Sequence, residues 1–389
     1  MAFWIMFVWA FAIWYFLQDN MSKKTLCKDG VSDTKVTVLY MVVIFIVPLL
    51  LIGLRTWFVD TSTYMREFDN MKADIRLLDD VANKRDHSKL FYGLTFLFKV
   101  FISQSSQVWI FTVAVCQSFF VLRTLKKYSV DPGFSVLLFI LSGLVGQWMC
   151  NGIRQFVAVS ILFACSEWII KKKWYLYILV SILLMGLSPI FSRLGITADI
   201  PWVLDGIHQS VIIMIPIFFC INGKVFNWRI WCVAGLLVAL IFTGGLEGML
   251  DSSVEGTTYS VDMEYVAADS GTSLPRVIVS SIPFILAFIK RRRLMENDVP
   301  PIICISANAS AITAILYVAS AFTSGIYVGR LPIFTELYSL ILLPWLINHA
   351  YTKNRQSITV LTFVGYISYF FYQVNITWDG YYHSEILGI

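Results

Sequence analysis

Apolar runs recur from one end of this chain to the other, each closed by polar residues or by glycine and proline. They fall at about 2–18, 36–53, 106–122, 134–149, 153–170, 174–189, 208–221, 229–244, 276–289, 302–320, 331–348 and 357–373. A helix that crosses a bilayer needs about 20 apolar residues, so these runs predict an all-α integral membrane protein of about 12 transmembrane helices. The charge content agrees, since Asp, Glu, Lys and Arg make up 14% of the 389 residues against about one-quarter in soluble domains. A water-soluble globule, a disordered chain and an enzyme on a single anchor are excluded. No polar half can be cut away, and residues 1–389 read as a single polytopic membrane domain.

Six cysteines (Cys116, Cys150, Cys165, Cys220, Cys232 and Cys304) lie in or at the end of apolar runs, and Cys27 lies in a polar loop. With no CxxC and no Cys/His pairing, neither a disulfide framework nor a zinc site is supported. No phosphate-cradling GxxxxGK[ST] occurs, which leaves ATP-driven transport unsupported. Neither cofactor nor metal is expected. The first 18 residues, MAFWIMFVWAFAIWYFLQ, lack a basic segment and a small-residue cleavage site and read as a span, not a removable signal.

Basic residues follow every second run: Lys23, Lys24, Lys28 and Lys35; Arg123, Lys126 and Lys127; Lys171, Lys172 and Lys173; Lys224 and Arg229; Lys290, Arg291, Arg292 and Arg293; Lys353 and Arg355. By the positive-inside rule these loops are cytoplasmic and both termini lie outside. Residues 91–103 (FYGLTFLFKVFIS) would invert that order if they spanned, and their length and Lys99 suit an amphipathic helix in the outer interface instead. Outer loops then fall at about 54–105, 190–207 and 245–275; the first is charge-mixed, and the last is acidic, with Glu247, Asp251, Glu255, Asp262, Glu264 and Asp269. The tryptophans at 57, 109, 148, 174, 202 and 228 are expected mostly in the interfacial belts.

Five cations remain once topology and the mixed loop are accounted for: Arg55, Arg154, Arg193, Arg276 and Arg330. All are arginine, and each falls at the predicted outer end of a span or in the short outer segment between two. An outer-end arginine snorkels to lipid phosphate or serves a site, and both readings stand for each of the five. The guanidinium fork matches phosphate oxygens two at a time, so a group of them suits a diphosphate. Arg154 lies in WMCNGIRQF, where Asn151, Gly152 and Gln155 mark an interrupted helix start whose amides would face the same anion.

His208, in DGIHQSVIIMIP with Ser210 two residues on, could take a proton from a sugar hydroxyl or simply bond a backbone carbonyl at an interface. In RTWFVDTSTYMREF, Arg55, Asp60, the hydroxyls of residues 61–63 and Tyr64 suit a sugar phosphate, or the stretch is an ordinary helix start capped by Asp60 or Thr61. Glu336, within an apolar run two turns beyond Arg330, must pair or face a wet cavity.

These pieces together resemble the EpsG family, Wzy-type polymerases of bacterial exopolysaccharide, capsule and O-antigen. The resemblance rests on RTWFVDTSTYMREF, KLFYGLTFLF, NGIRQFVAVSILFACSEWIIKKKWYLYIL, IHQSVIIMIP and GRLPIFTELYSLILLP, of which the third is the most specific. The chain departs from the family pattern at GLSPIFSRLGITADIPWVLDG, an insertion before the His-x-Ser helix that reads as a re-entrant lid or a substrate-specific rim. The resemblance implies a fold like the lipid-linked GT-C-type glycosyltransferases and a metal-independent reaction at the outer face of the bacterial inner membrane. There, a glycan on undecaprenyl diphosphate is transferred to the non-reducing end of another lipid-linked repeat unit. His208 would deprotonate the acceptor, and Arg154 and Arg330 would hold the departing diphosphate. Arg55, Asp60, Tyr64, Asn151, Gln155, Ser210, Arg276 and Glu336 are candidate substrate contacts. The expected partners are the undecaprenyl-diphosphate-linked oligosaccharide, as donor and acceptor, the membrane, and a chain-length regulator; no nucleic acid is implied.

Two other classes remain open. A flippase for lipid-linked oligosaccharides would line a lumen with cations at several depths, and an O-antigen-ligase-like enzyme or an acyltransferase would use the same membrane face.

Overall fold

Each of the twelve apolar runs folds as a helix or a bent pair of helices, because inside a bilayer only intrahelical bonds satisfy the backbone of a segment without water. The structure, a computed structural model, describes residues 1–26, 32–83, 88–193, 201–243, 271–325, 328–378 and 380–389. Among them 4 helices are long and apolar enough to cross a membrane (Ser106–Tyr128, Ile153–Ile170, Pro301–Ala321 and Thr352–Thr377), or up to 6 if each bent pair is one span. A further set of apolar helices is 10–17 residues long. The chain is a predominantly helical membrane protein.

It is not purely α. Ser22–Leu26 (β1) and Ser32–Val36 (β2) form an antiparallel hairpin in which Lys23 stands directly opposite Lys35. Its strands are too short and too polar to show an alternating apolar period, so the sequence presents them as a basic loop.

Contacts divide the chain into two units, Met1–Ile215 with Phe370–Ile389, and Pro216–Tyr369. The first holds α1 (Ala2–Leu17), α2 (Val38–Gly53), α3 (Thr61–Asp69), α4 (Leu78–Asn83), α5 (Lys89–Phe101), α6 (Ser106–Tyr128), α7 (Pro132–Leu141), α8 (Ile153–Ile170), α9 (Trp174–Met185) and α10 (Ser188–Arg193). Helix α6 packs against both α2 and α8, and α1 lies on α2 and α7. Side chains start several of these helices: Thr37 accepts from the Tyr40 amide, Ser105 from Val108, and Asp131 from Phe134 ahead of Pro132. After α7 the chain turns by 78° into a π-helical segment, Val145–Asn151, through Gly143, whose φ of 78° favours glycine.

Helix α5, the 91–103 stretch, is a 13-residue helix outside the candidate spans. Its Lys99 is buried against α3: Nζ donates to the carbonyls of Phe68 at 2.6 Å and Asp69 at 3.0 Å, closing the C-terminal end of that helix. Gly93 of α5 admits the Trp202 ring, since a Cβ there would lie 2.4 Å from it. Asp205, fully buried, accepts from the Lys89 amide at 3.0 Å and bonds the Ser188 hydroxyl. The end of the insertion is thereby pinned to α5, while residues 194–200 and the Arg193 side chain lie outside the described residues, as does nearly all of the acidic 245–275 stretch.

The second unit contains most of α11 (Met214–Ile221), then α12 (Trp228–Phe242), α13 (Leu274–Ile289), α14 (Arg291–Leu294), α15 (Pro301–Ala321), α16 (Ile333–Glu336), α17 (Ser339–Trp345) and most of α18 (Arg355–Tyr372). Helix α15 packs against α12, α13 and α17. Small residues allow this: Ser306, Ala307, Ala309, Ser310, Ala311 and Thr313 are fully buried on it, as close helix approach in a membrane requires. The predicted run at 331–348 bends by 51° between Val328–Glu336 and Ser339–Ala350. Trp109 and Trp148, expected in the belts, are 4% and 3% exposed and belong to the packed interior of the first unit.

Candidate functional site

The break between Asn151 and Ile153 is the centre of the site in the first unit. The π-helical segment ends at Asn151, Gly152 interrupts the helical bonding, and α8 begins without a side-chain cap. Arg154 and Gln155 occupy its first turn, where helix amides have no intrahelical acceptors. The Arg154 Nε donates to the Tyr64 hydroxyl at 3.0 Å, and its guanidinium lies 5.8 Å from the Tyr64 ring centre and 5.5 Å from that of Tyr92. Such contacts fix the direction of the fork. Burial pushes the Tyr64 phenol up, and Arg154 draws it back part of the way. Tyr92 in turn donates to Glu67 at 3.4 Å.

From the next position, Gln155 donates to the Ser210 hydroxyl at 3.2 Å, and that hydroxyl lies 2.7 Å from His208 Nδ1. The Ser210 amide also points at Nδ1, at 3.3 Å. A backbone N–H can only donate, so Nδ1 is an acceptor and the proton of the neutral imidazole sits on Nε2. One helical turn thus carries both an oriented guanidinium and the support of an oriented histidine. Asn151 Oδ1 is buried with no hydrogen-bond partner among the described residues.

Arg55 does not present its fork to a ligand. It is 1% exposed; Nε donates to Thr61 Oγ1 at 2.8 Å, one terminal nitrogen to Ile52 O, and the other to Cys150 O at 3.2 Å and Met149 O at 3.5 Å. Those last two carbonyls end the π-helical segment, so Arg55 ties the end of α2, the start of α3 and the break before α8 together. Thr61, whose hydroxyl also reaches Phe58 O and Cys150 O, belongs to the same brace. Asp60 occupies the N-cap position of α3 but makes no side-chain capping bond and is exposed. Asp60 is thus an N-cap by position only, with its own backbone in the right-handed helical region, and the Thr61 hydroxyl is committed to Arg55 and the backbone.

Arg276 and Glu336 meet in the second unit. Arg276 donates to the Tyr317 hydroxyl at 2.5 Å, Tyr317 donates to Glu336 at 2.7 Å, and Ser280 donates to the other carboxylate oxygen at 3.2 Å. With Arg276 8% and Glu336 5% exposed, this is a buried cation balanced by a buried anion through a phenol. Arg330 ends the short turn Val328–Arg330 and is exposed. Among the described residues no group of three or more His, Cys, Asp or Glu side chains could hold a metal ion.

Tyr92, Glu67, Tyr317 and Ser280 were not among the sequence candidates. Tyr92 stands within KLFYGLTFLF, where its place on a short surface helix was the available signal; Tyr317, 41 positions from Arg276, carried none.

The EpsG family model matches residues 38–190 and 203–384. The unmatched stretch between them falls inside the insertion read from the sequence, and Arg55, Arg154, His208, Arg276, Arg330 and Glu336 all lie in matched parts. No curated protein and no solved structure matches the chain. The match covers nearly the whole sequence, and the chain belongs to the EpsG family.

Proposed function

We propose that this protein is a polysaccharide polymerase of the Wzy type: it transfers a glycan from undecaprenyl diphosphate to the non-reducing-end hydroxyl of a second lipid-linked repeat unit. The reaction is metal-independent and takes place at the outer face of the bacterial inner membrane, on a fold of about twelve crossings akin to the GT-C-type glycosyltransferases, with both termini outside. Family membership supports the reaction class. The observation that carries the residue-level reading is the first turn of α8, where Arg154 is aimed by Tyr64 and Gln155 supports Ser210 and His208.

The acceptor hydroxyl gives its proton to Ser210 Oγ as the serine proton passes to His208 Nδ1, which leaves an imidazolium. The freed sugar oxygen bonds to the anomeric carbon of the donor, and the bond from that carbon to the diphosphate oxygen breaks. Arg154 and the first-turn amides of α8 hold the charge that develops on the leaving diphosphate. Asn151 Oδ1 accepts from a sugar hydroxyl, the pairing its buried oxygen otherwise lacks. Arg55 acts by holding the break in place.

The test is Arg154→Ala in cells: the protein should remain in the membrane while glycan falls to single repeat units. Wild-type chain lengths in that variant would refute the assignment. Purified protein supplied with one lipid-linked repeat unit alone should build a ladder, which neither a flippase nor a ligase does.

A further inference from the structure

Along the outside of the first unit, α2 and α6 leave a groove of about 460 Å³ between them. Val38, Met41, Val42, Phe45, Ile46 and Leu49 form one wall. Val115, Ser118, Phe119 and Leu122 form the other, and the Ser118 hydroxyl is committed to the Ala114 carbonyl at 2.7 Å, so nothing polar faces in along this length. Val42 and Phe119 are 51% and 59% exposed at its lips.

At one end the groove meets Arg123, Lys126 and Lys127. Arg123 and Lys127, at 3.6 and 2.7 Å, share the Glu167 carboxylate with Lys171 at 2.5 Å, so three cations stand around a single anion and Lys126 adds a fourth charge beside them. The N-terminus of the 16-residue α2 opens at the same corner, at Val38, and adds its positive dipole end.

We propose that this groove holds an anionic phospholipid, one acyl chain lying between α2 and α6 and the phosphodiester seated against Arg123, Lys126 and Lys127. An apolar slot of roughly one acyl chain's volume that ends in surplus positive charge matches both parts of such a molecule. The site is separate from the one at Arg154. Trp109, which contacts Tyr64, and Lys126 lie at opposite ends of α6, about 25 Å apart along the helix, most of the thickness of a bilayer core. The lipid therefore comes from the leaflet opposite the reaction, and its headgroup is not the diphosphate of the substrate.

Native mass spectrometry of the purified full chain, titrated with phosphatidylglycerol or phosphatidylcholine of matched acyl chains, tests this. Phosphatidylglycerol should be retained about tenfold better, and Arg123→Gln with Lys126→Gln should abolish that preference at an unchanged Tm. Ser118→Phe, which fills the slot, should reduce retention of both lipids, and inorganic phosphate in excess should not displace the lipid. Equal retention of the two lipids, an unchanged preference in the double variant, displacement by phosphate alone, or a dimer that Ser118→Phe converts to monomer would overturn the proposal.

Discussion

The side-chain amide of Gln155 donates to the Ser210 hydroxyl at 3.2 Å, so the helix turn that carries Arg154 also supports the histidine segment. Gln155→Leu removes the donor while keeping volume. The ladder formed in vitro from one lipid-linked repeat unit should slow by about 10- to 100-fold, the cost of a misplaced catalytic group. His208→Gln should cost more, on the order of 10²–10⁴ in rate. Equal rates for Gln155→Leu and the wild type would show that Ser210 holds His208 unaided.

Arg154→Lys keeps the charge and loses the fork. Polymerisation should fall by about 100-fold with the protein still present in the membrane. Tyr64→Phe keeps the ring beneath the guanidinium and deletes only the acceptor of the 3.0 Å bond, so its loss should be smaller, on the order of tenfold. Chain-length distributions on gels would rank the two.

Arg55 should behave oppositely. Arg55→Met strands the Ile52 carbonyl in a buried place, at roughly 1–3 kcal/mol, and leaves the Cys150 carbonyl to the Thr61 hydroxyl, which then loses the donor that positions it. The variant is expected to lose folded protein, read as a lower Tm in detergent, before any kinetic effect can be measured. Arg154→Ala gives up the hydrogen bond to Tyr64 from a half-buried position and should cost only about 1 kcal/mol of stability.

Glu336→Gln keeps acceptor and shape but leaves the Arg276 charge without its anion. Breaking a buried pair from one side costs roughly 3–5 kcal/mol, whereas removing both members with Arg276→Met and Glu336→Leu should recover much of it. Thermal unfolding of Arg276→Met, Glu336→Leu and the double variant closes the cycle. Additive losses would mean the two groups are not coupled through Tyr317.

The helical plan was open in the sequence because a bilayer imposes length and composition on each run, and the twelve runs carry helices accordingly. Arg154, Gln155, His208 and Ser210 were also visible, since Asn151 and Gly152 mark a helix break and His-x-Ser marks another helix start. The five surplus arginines were not sortable by role. Charge arithmetic identified Arg55 and Arg154 equally, yet one is spent on backbone carbonyls and the other is aimed by tyrosines, a difference made by partners distant in sequence. The Arg276–Tyr317–Glu336 chain was hidden for the same reason. The partners of Lys99 are equally illegible in the sequence, because the carbonyls that receive it, at Phe68 and Asp69, belong to a different helix.

The hairpin between α1 and α2 sets Lys23 and Lys35 face to face, both exposed, and like charges directly opposite on a two-stranded ribbon weaken it. Such a ribbon is only marginally stable by itself, so its persistence depends on what neutralises it. Low ionic strength without a negatively charged surface nearby should fray it, and added salt or an acidic surface should restore it. The link between the first two helices thus becomes a local gauge of the medium at that face, readable by amide exchange at Lys23 and Lys35, whose amides point across the ribbon in its register, without any reference to catalysis.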